Sequence, residues 1–261
     1  MIKIENVEVL GFEHAIRGMR NPMNSWAKSD SSYHGTRYLH YGDNDVACFY
    51  DVDGDPYVLD KVELGPNDHN LMMRLANGGP VHAKYRRMIT VYLDITAPLY
   101  WWKEFDTYKV GTVANSCSTM HKIHAEPFSW DNFSHEHLFI DDKTLEFMRV
   151  NEVEPSWSSI DILNAVIVTL NEYRKKFLET NDKKYWWQMI QLLPSSYNQK
   201  RTVMLNYEVL VGMYKWRKNH KLDEWREFCK WIESLPYSEV ITGESRDVDE
   251  GNGNGGETDD G

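Results

Sequence analysis

The sequence predicts an α/β (α+β) protein, a mainly antiparallel sheet flanked by helices, with a helical second half. Three observations predict it. Residues from Met88 to Ile95 alternate cleanly, with Ile89, Val91, Leu93 and Ile95 on one side and Thr90, Tyr92 and Asp94 on the other, the pattern of a strand with one buried face. Ile2 to Leu10 alternates in the same way. Beyond about residue 156 the apolar spacing changes to that of helices.

The elements follow in order. After the first strand come Arg17–Pro22 and a polar stretch rich in Ser, Asp and Gly that runs to Gly35. Residues 38–64 read as short strands around two Asp-rich turns, a β-rich insertion. Asp51–Asp55 has a misplaced glycine and no closing glutamate for a calcium loop, so it reads as a hairpin turn. Asn67 to Asn77 reads as a helix stopped by Gly78-Gly79-Pro80. The strand over 88–95 follows, ended by Pro98 and succeeded by Tyr100-Trp101-Trp102. Four helices are expected after it. The first spans Ser156 to Thr180, with Ser156 as cap and Ile160, Ile162, Leu163, Val166 and Leu170 as its apolar stripe. The others span Lys183 to Leu193, Gln199 to Lys218, and Asp223 to Leu235, and Pro194 and Pro236 close two of them.

A chain of 261 residues, 41% hydrophobic and 13% aromatic, suits a single domain with a substantial core, read here as residues 1–241. From 242 the composition turns to Asp, Glu, Gly and Asn, which predicts a disordered acidic tail over 242–261. The formal net charge of -11 argues against broad nucleic-acid binding, which needs a basic face. Three widely spaced cysteines give no disulfide framework. No h-region and no apolar run of membrane-spanning length is present, so a cytoplasmic protein without membrane contact is expected.

Two segments carry candidate chemistry. On the helix expected over 199–218, Asn206, Leu210, Met213 and Arg217 share one face, which predicts burial of the middle two. Arg217 then needs an anionic partner. Asn206 and Arg217 would lie about 16 Å apart, a span that suits a nucleotide stretched along the helix. A salt bridge from Arg217 to an internal carboxylate, with Asn206 satisfied by backbone, is the other reading. The second segment, Tyr108 to Lys122, mixes Lys109, Gly111, Thr112, Asn115, Ser116, Cys117, Ser118 and Thr119. Such residues build a phosphate-binding turn, or a polar loop that caps a helix. Cys117 is the candidate nucleophile if Lys109, Lys122 or His121 lies close, and a buried inert cysteine otherwise. His121-x-x-His124 and His135-Glu136-His137 lack a third ligand at metal-site spacing, so no metal is expected. The ten tryptophans read mostly as core or subunit interface, and Arg86-Arg87 as a solvated pair.

Between Asn70 and Pro236 the chain resembles the flavin-dependent thymidylate synthases. A helix ending in glycines is followed by His82 and the alternating strand, a passage the family shares. The strand closes on Ala97-Pro98-Leu99-Tyr100 and runs into Trp101-Trp102-Lys103-Glu104-Phe105, where the family has Ala-Pro and then Arg-Gln-Trp. Leu193-Pro194 is followed by Asn206 and Arg217, similar to the family's Leu-Pro, helical Asn and terminal Arg. The signature R-H-R-x-x-S-x-N-E-x-S-x-R-Y falls on Thr107 to Met120. Of its three arginines only Lys109 keeps a charge, Thr112 keeps a hydroxyl, Ala114 and Asn115 stand at Asn-Glu, Cys117 at the second Ser, and Thr119 at the last Arg. Ile190 and Arg87 stand where the family has Arg and Glu.

The resemblance implies a homotetramer with sites between subunits. It implies a methyltransferase reaction that converts dUMP, or a related nucleotide, at C5 with FAD, NADPH and methylenetetrahydrofolate. His82, Lys109 and Asn206 are then the expected cofactor residues. Glu104, Thr112, Asn115, Cys117, Ser118 and Arg217 are the expected substrate residues. A non-catalytic nucleotide-binding or regulatory protein that keeps the fold is the alternative, and a metal-dependent hydrolase using the histidines is a more distant one.

Overall fold

The computed structural model describes residues 2–34, 40–41, 45–46, 61–140 and 157–243. In chain order the strands and α-helices are β1 (Lys3–Leu10), α1 (Phe12–Arg20), β2 (Ser32–His34), β3 (His40–Tyr41), β4 (Asp45–Val46), β5 (Lys61–Glu63), α2 (Pro66–Asn77), β6 (Thr90–Pro98), α3 (Leu99–Phe105), β7 (Val113–Ser116) and α4 (Thr119–Lys122). The second half adds α5 (Ser159–Thr180), α6 (Lys183–Leu192), β8 (Asn198–Asn206), α7 (Tyr207–Arg217), α8 (Asp223–Glu233) and α9 (Glu239–Thr242).

Four strands form one sheet in the order β1-β6-β8-β7, and every neighbouring pair is antiparallel. β6 is its spine and pairs with β8 from Thr90↔Asn206 to Pro98↔Asn198. The expected alternation holds: Ile89, Val91, Leu93 and Ile95 are buried, and Val203 and Leu205 of β8 join them on the same face. Trp101, Trp102 and Phe105 of α3 and Trp225 and Phe228 of α8 pack over that layer, with rings mostly edge-on or tilted and Phe105 stacked on Trp225. A second cluster joins Leu163, Ile167 and Leu170 of α5 to Met189 of α6 and to Phe128 and Phe133. Among the described residues no helix is long and apolar enough to cross a membrane.

The structure corrects several expectations. Residues 199–206 are strand, not the first two turns of a helix. Gln199, Val203 and Leu205 are buried at even spacing, and nine consecutive pairs to β6 satisfy the backbone in extended form. Asn206 therefore lies off the α7 face and instead caps that helix, its Oδ1 accepting from the Val209 N–H at 3.1 Å. Leu210 and Met213 are fully buried, as their spacing predicts.

Arg86 is not solvated. It is buried, with Nη1 3.7 Å from Glu208, while Arg87 stays exposed. Helix α5 is capped by Ser158 in a reciprocal capping box with Asp161. Ser156 and Asp51–Asp55 lie outside the described residues, as do most of 38–64 and all of 244–261. Ile162 of the expected α5 stripe is exposed, and Ile167 takes the buried place.

Candidate functional site

Two of the expected residues, Glu104 and Arg217, meet at the end of α7. Glu104 projects from α3, placed there because Trp101, Trp102 and Phe105 turn the rest of that helix into the core. Its Oε2 accepts from Arg217 Nη1 at 2.5 Å and from Trp225 Nε1 at 3.1 Å, with His220 Nε2 at 3.4 Å. Arg217 also donates from Nε to the Tyr108 hydroxyl at 3.0 Å, and its guanidinium stands 4.7 Å from the Trp225 ring centre. Glu104 is thus the internal carboxylate partner of Arg217, and Asn206 is satisfied by backbone. A phosphate that sought Arg217 would have to displace a carboxylate already held by a charge-assisted bond.

The loop after α3 runs back along α7. Tyr108 sits at the Arg217 end and Gly111 at the Asn206 end, so this loop covers the stretch proposed for an extended nucleotide. Gly111 has φ +79°, and a Cβ there would lie 3.0 Å from Val209 Cγ2 and 3.1 Å from Asn206 Nδ2. Only glycine fits both the left-handed backbone and that close approach. Beside it the Thr112 hydroxyl is buried with no hydrogen-bond partner among the described residues. Lys109 is exposed in the same loop.

The remaining signature positions form an edge rather than a turn. Asn115 and Ser116 lie in β7, which pairs on one side with β8. The Cys117 N–H donates to the Lys200 carbonyl at 2.9 Å, and Gln199 Nε2 donates to the Cys117 carbonyl at 2.9 Å. The Cys117 side chain is exposed, so the buried reading does not apply to it. Cys229 is the buried thiol, pushed up to about 12 by burial and by Glu233. Ser118 accepts from the His121 N–H at 3.1 Å and caps α4, which matches the loop-and-cap reading of this segment. Among the described residues no group of three His, Cys, Asp or Glu has metal-binding geometry.

His82 lies elsewhere, in a cleft of about 760 Å³ between the end of α1 and one face of α2. None of the other expected site residues lines it. Asn67, Leu71, Arg74 and Gly78 recur at helical spacing and make the α2 wall. A Cβ at Gly78 would lie 3.3 Å from the His82 ring, so glycine lets the imidazole rest against the backbone. Arg20 closes the floor and is itself neutralised. Its Nε donates to Asp68 at 2.6 Å, and Asp68 also accepts from both the hydroxyl and the N–H of Ser31, from the Ser29 hydroxyl and from the Asp30 N–H. Burial raises the Asp68 carboxyl, but the bonds from Ser29, Ser31 and Arg20 outweigh it and hold it below its usual value. Lys28, Arg74 and His82 have no carboxylate partner among the described residues. Sequence reasoning missed this cleft, although Arg74 and Gly78 on the Asn67–Leu71 stripe were a visible signal.

No family model matches the chain, and no curated protein does. Solved structures do match. Over 93% of this chain and 97% of the other, it aligns with thymidylate synthase X from Helicobacter pylori bound to FAD and dUMP, at a TM-score of 0.58 and 14% identity. A second structure of the H. pylori flavin-dependent enzyme with FAD and dUMP aligns over 92% of this chain and 97% of that one, at a TM-score of 0.57 and 14% identity. The UMP/dUMP methylase PolB from Streptomyces cacaoi, bound with 5-Br dUMP, aligns over 93% and 95%, at a TM-score of 0.52 and 12% identity. With this strand order, this coverage and these neighbours, the chain has the fold of the flavin-dependent thymidylate synthases.

Proposed function

We propose that the chain is a thymidylate synthase-like flavoprotein of pyrimidine nucleotide metabolism, a methyltransferase that modifies dUMP or a related nucleotide at C5. The observation that carries this reading is the His82 cleft on a fold shared with proteins that hold FAD and dUMP. Its volume is that of a cofactor site, its wall offers Met23, Leu71 and Leu75 to an aromatic ring, and its rim offers Lys28, Arg74 and His82 to a diphosphate. The chemistry of these residues suits the rings and the diphosphate of FAD. Bound there, the flavin would supply the reducing chemistry, with NADPH and methylenetetrahydrofolate as co-substrates.

The substrate role falls to Thr112, Asn115, Cys117, Ser118 and Arg217, along the α3–β7 loop and the adjoining edge strand, while Glu104, expected beside them, acts as the carboxylate that restrains Arg217. Arg217 and Lys109 would meet the phosphate. In the homotetramer that the resemblance implies, Lys109 and Asn206 would approach a cofactor shared between subunits. Purification tests the proposal. A flavin spectrum, intrinsic or after reconstitution with FAD, supports it, and a colourless protein that takes up no FAD sinks it.

One observation favours the second reading, a nucleotide-binding or regulatory protein without turnover: Arg217 is already engaged by Glu104 and Tyr108. Nucleotide binding without NADPH oxidation, in the presence of dUMP and methylenetetrahydrofolate, would favour it.

A further inference from the structure

The described part of the chain stops at Gly243, in the segment that follows α9, and residues 244–261 are dense in carboxylates. They carry seven carboxylates against the single Arg246, so they supply six of the eleven net negative charges. Two cations of the His82 cleft without a carboxylate partner among the described residues, Lys28 and Arg74, are the complement, with the His82 ring as a further hydrogen-bonding group beside them. We propose that the acidic segment 244–261 docks in this cleft and competes with the anionic ligand that the cleft takes.

The path is short. α9 is tied to α2 by Glu239 Oε1, 2.8 Å from His69 Nε2. His69 lies two residues on from Asn67, about 200° around the helix, so α9 and the cleft hold opposite faces of α2. The segment has to pass around one helix of about 10–12 Å diameter and along at most its length, about 18 Å. Eighteen residues span up to about 60 Å when extended. Glu244, Asp247, Asp249 and Glu250 come first along that path, and Glu257, Asp259 and Asp260 follow after a Gly/Asn run. Lys28 and Arg74 are side chains that pair readily with carboxylates, and nothing among the described residues neutralises them. A tethered segment acts at an effective concentration in the millimolar range, enough to oppose a free anion even through weak pairs.

The proposal rests on the reading of the cleft as an anion site, and two measurements separate their fates. The first is zero-length carbodiimide crosslinking of the full chain, read by peptide mass spectrometry. The expected main product joins Lys28 to a carboxylate of 244–261. The second is binding of inorganic pyrophosphate to the full chain and to a full-length variant whose seven tail carboxylates are changed to Asn or Gln. The variant is expected to bind about three- to tenfold more tightly at low salt, and the gap is expected to close near 1 M salt, where the Debye length is about 3 Å. Tail crosslinks scattered over other lysines, or pyrophosphate bound with the same measurable affinity by both forms, would overturn the docking. A Lys28 crosslink in a protein that binds no pyrophosphate in either form supports the docking and ends the cofactor reading of the cleft. An exposed-site control, Lys28→Glu, is expected to abolish the crosslink.

Discussion

Replacing Glu104 by Gln separates the internal role of this carboxylate from the proposed role of Arg217. The side chain loses its charge and keeps an acceptor oxygen for Trp225 Nε1. A hydrogen bond to a charged group is worth about 1.5–3 kcal/mol and a neutral one about 0.5–1.5 kcal/mol, so the exchange removes about 1 kcal/mol. Glu104 is 35% exposed and Arg217 19%, which cuts the loss to about 0.5–1 kcal/mol. In a chain of this size that lowers the melting temperature by roughly 1–4 °C. The effect on a phosphate ligand has the opposite sign. Freed of its carboxylate, Arg217 gains one charge-assisted bond to phosphate, and at about 1.4 kcal/mol per decade dUMP affinity rises about tenfold or more. Arg217→Ala is expected to weaken dUMP binding in both backgrounds. Thermal denaturation and calorimetric titration with dUMP read the two effects. A Gln variant that melts lower yet binds dUMP no better would refute the assignment of Arg217 to the phosphate.

Three further outcomes are expected. Asn206→Ala removes the cap of α7 and should lower stability by about 1 kcal/mol in denaturant unfolding. Asp94 is held at about 2, against an ordinary value near 3.8, by bonds from Thr202, Asn6 and Lys200. A depressed folded value means that its contribution is complete above about pH 4 and fades as the pH falls toward 2. The melting temperature should therefore drop over that interval, and Asp94→Asn should flatten the drop. A thymidine-requiring strain carrying the gene should show weak or no rescue, and robust growth would show that the rewritten signature still serves dUMP.

What the sequence made readable follows from the range of the interactions involved. β6 was visible because alternation is local, and α2 because Gly78-Gly79-Pro80 stops it within three residues. The first half of the expected 199–218 helix was misread because a strand and a helix meet at Asn206 without a break in apolar pattern. Val203, Asn206 and Leu210 then fit a helical repeat as well as Gln199, Val203 and Leu205 fit an extended one. The decision came from β6, more than a hundred residues away, whose backbone pairs with all nine residues of β8. Arg86 and Arg217 were opaque for the same reason. Their partners Glu208 and Glu104 lie 122 and 113 positions away, and no window along the chain brings them together.

The two cationic places differ in what neutralises them, and that difference bears on which of the two proposed sites keeps affinity for an anion. At α7 the compensation is internal and rigid: Glu104 on α3 and Tyr108 on the following loop hold two nitrogens of Arg217, while Trp225 packs beside it. In the α1–α2 cleft the internal compensation stops at Arg20 and Asp68, leaving the rim cations free of carboxylates among the described residues. A site that keeps open charge around a cavity retains affinity for an anion, whereas one that satisfies its own arginine has exchanged ligand affinity for a fixed contact. The α1–α2 cleft, the cofactor site proposed above, therefore carries the stronger case for a bound ligand. A variant series aimed at the proposed phosphate role of Arg217 should begin with Glu104, because that carboxylate opposes any phosphate directed at Arg217.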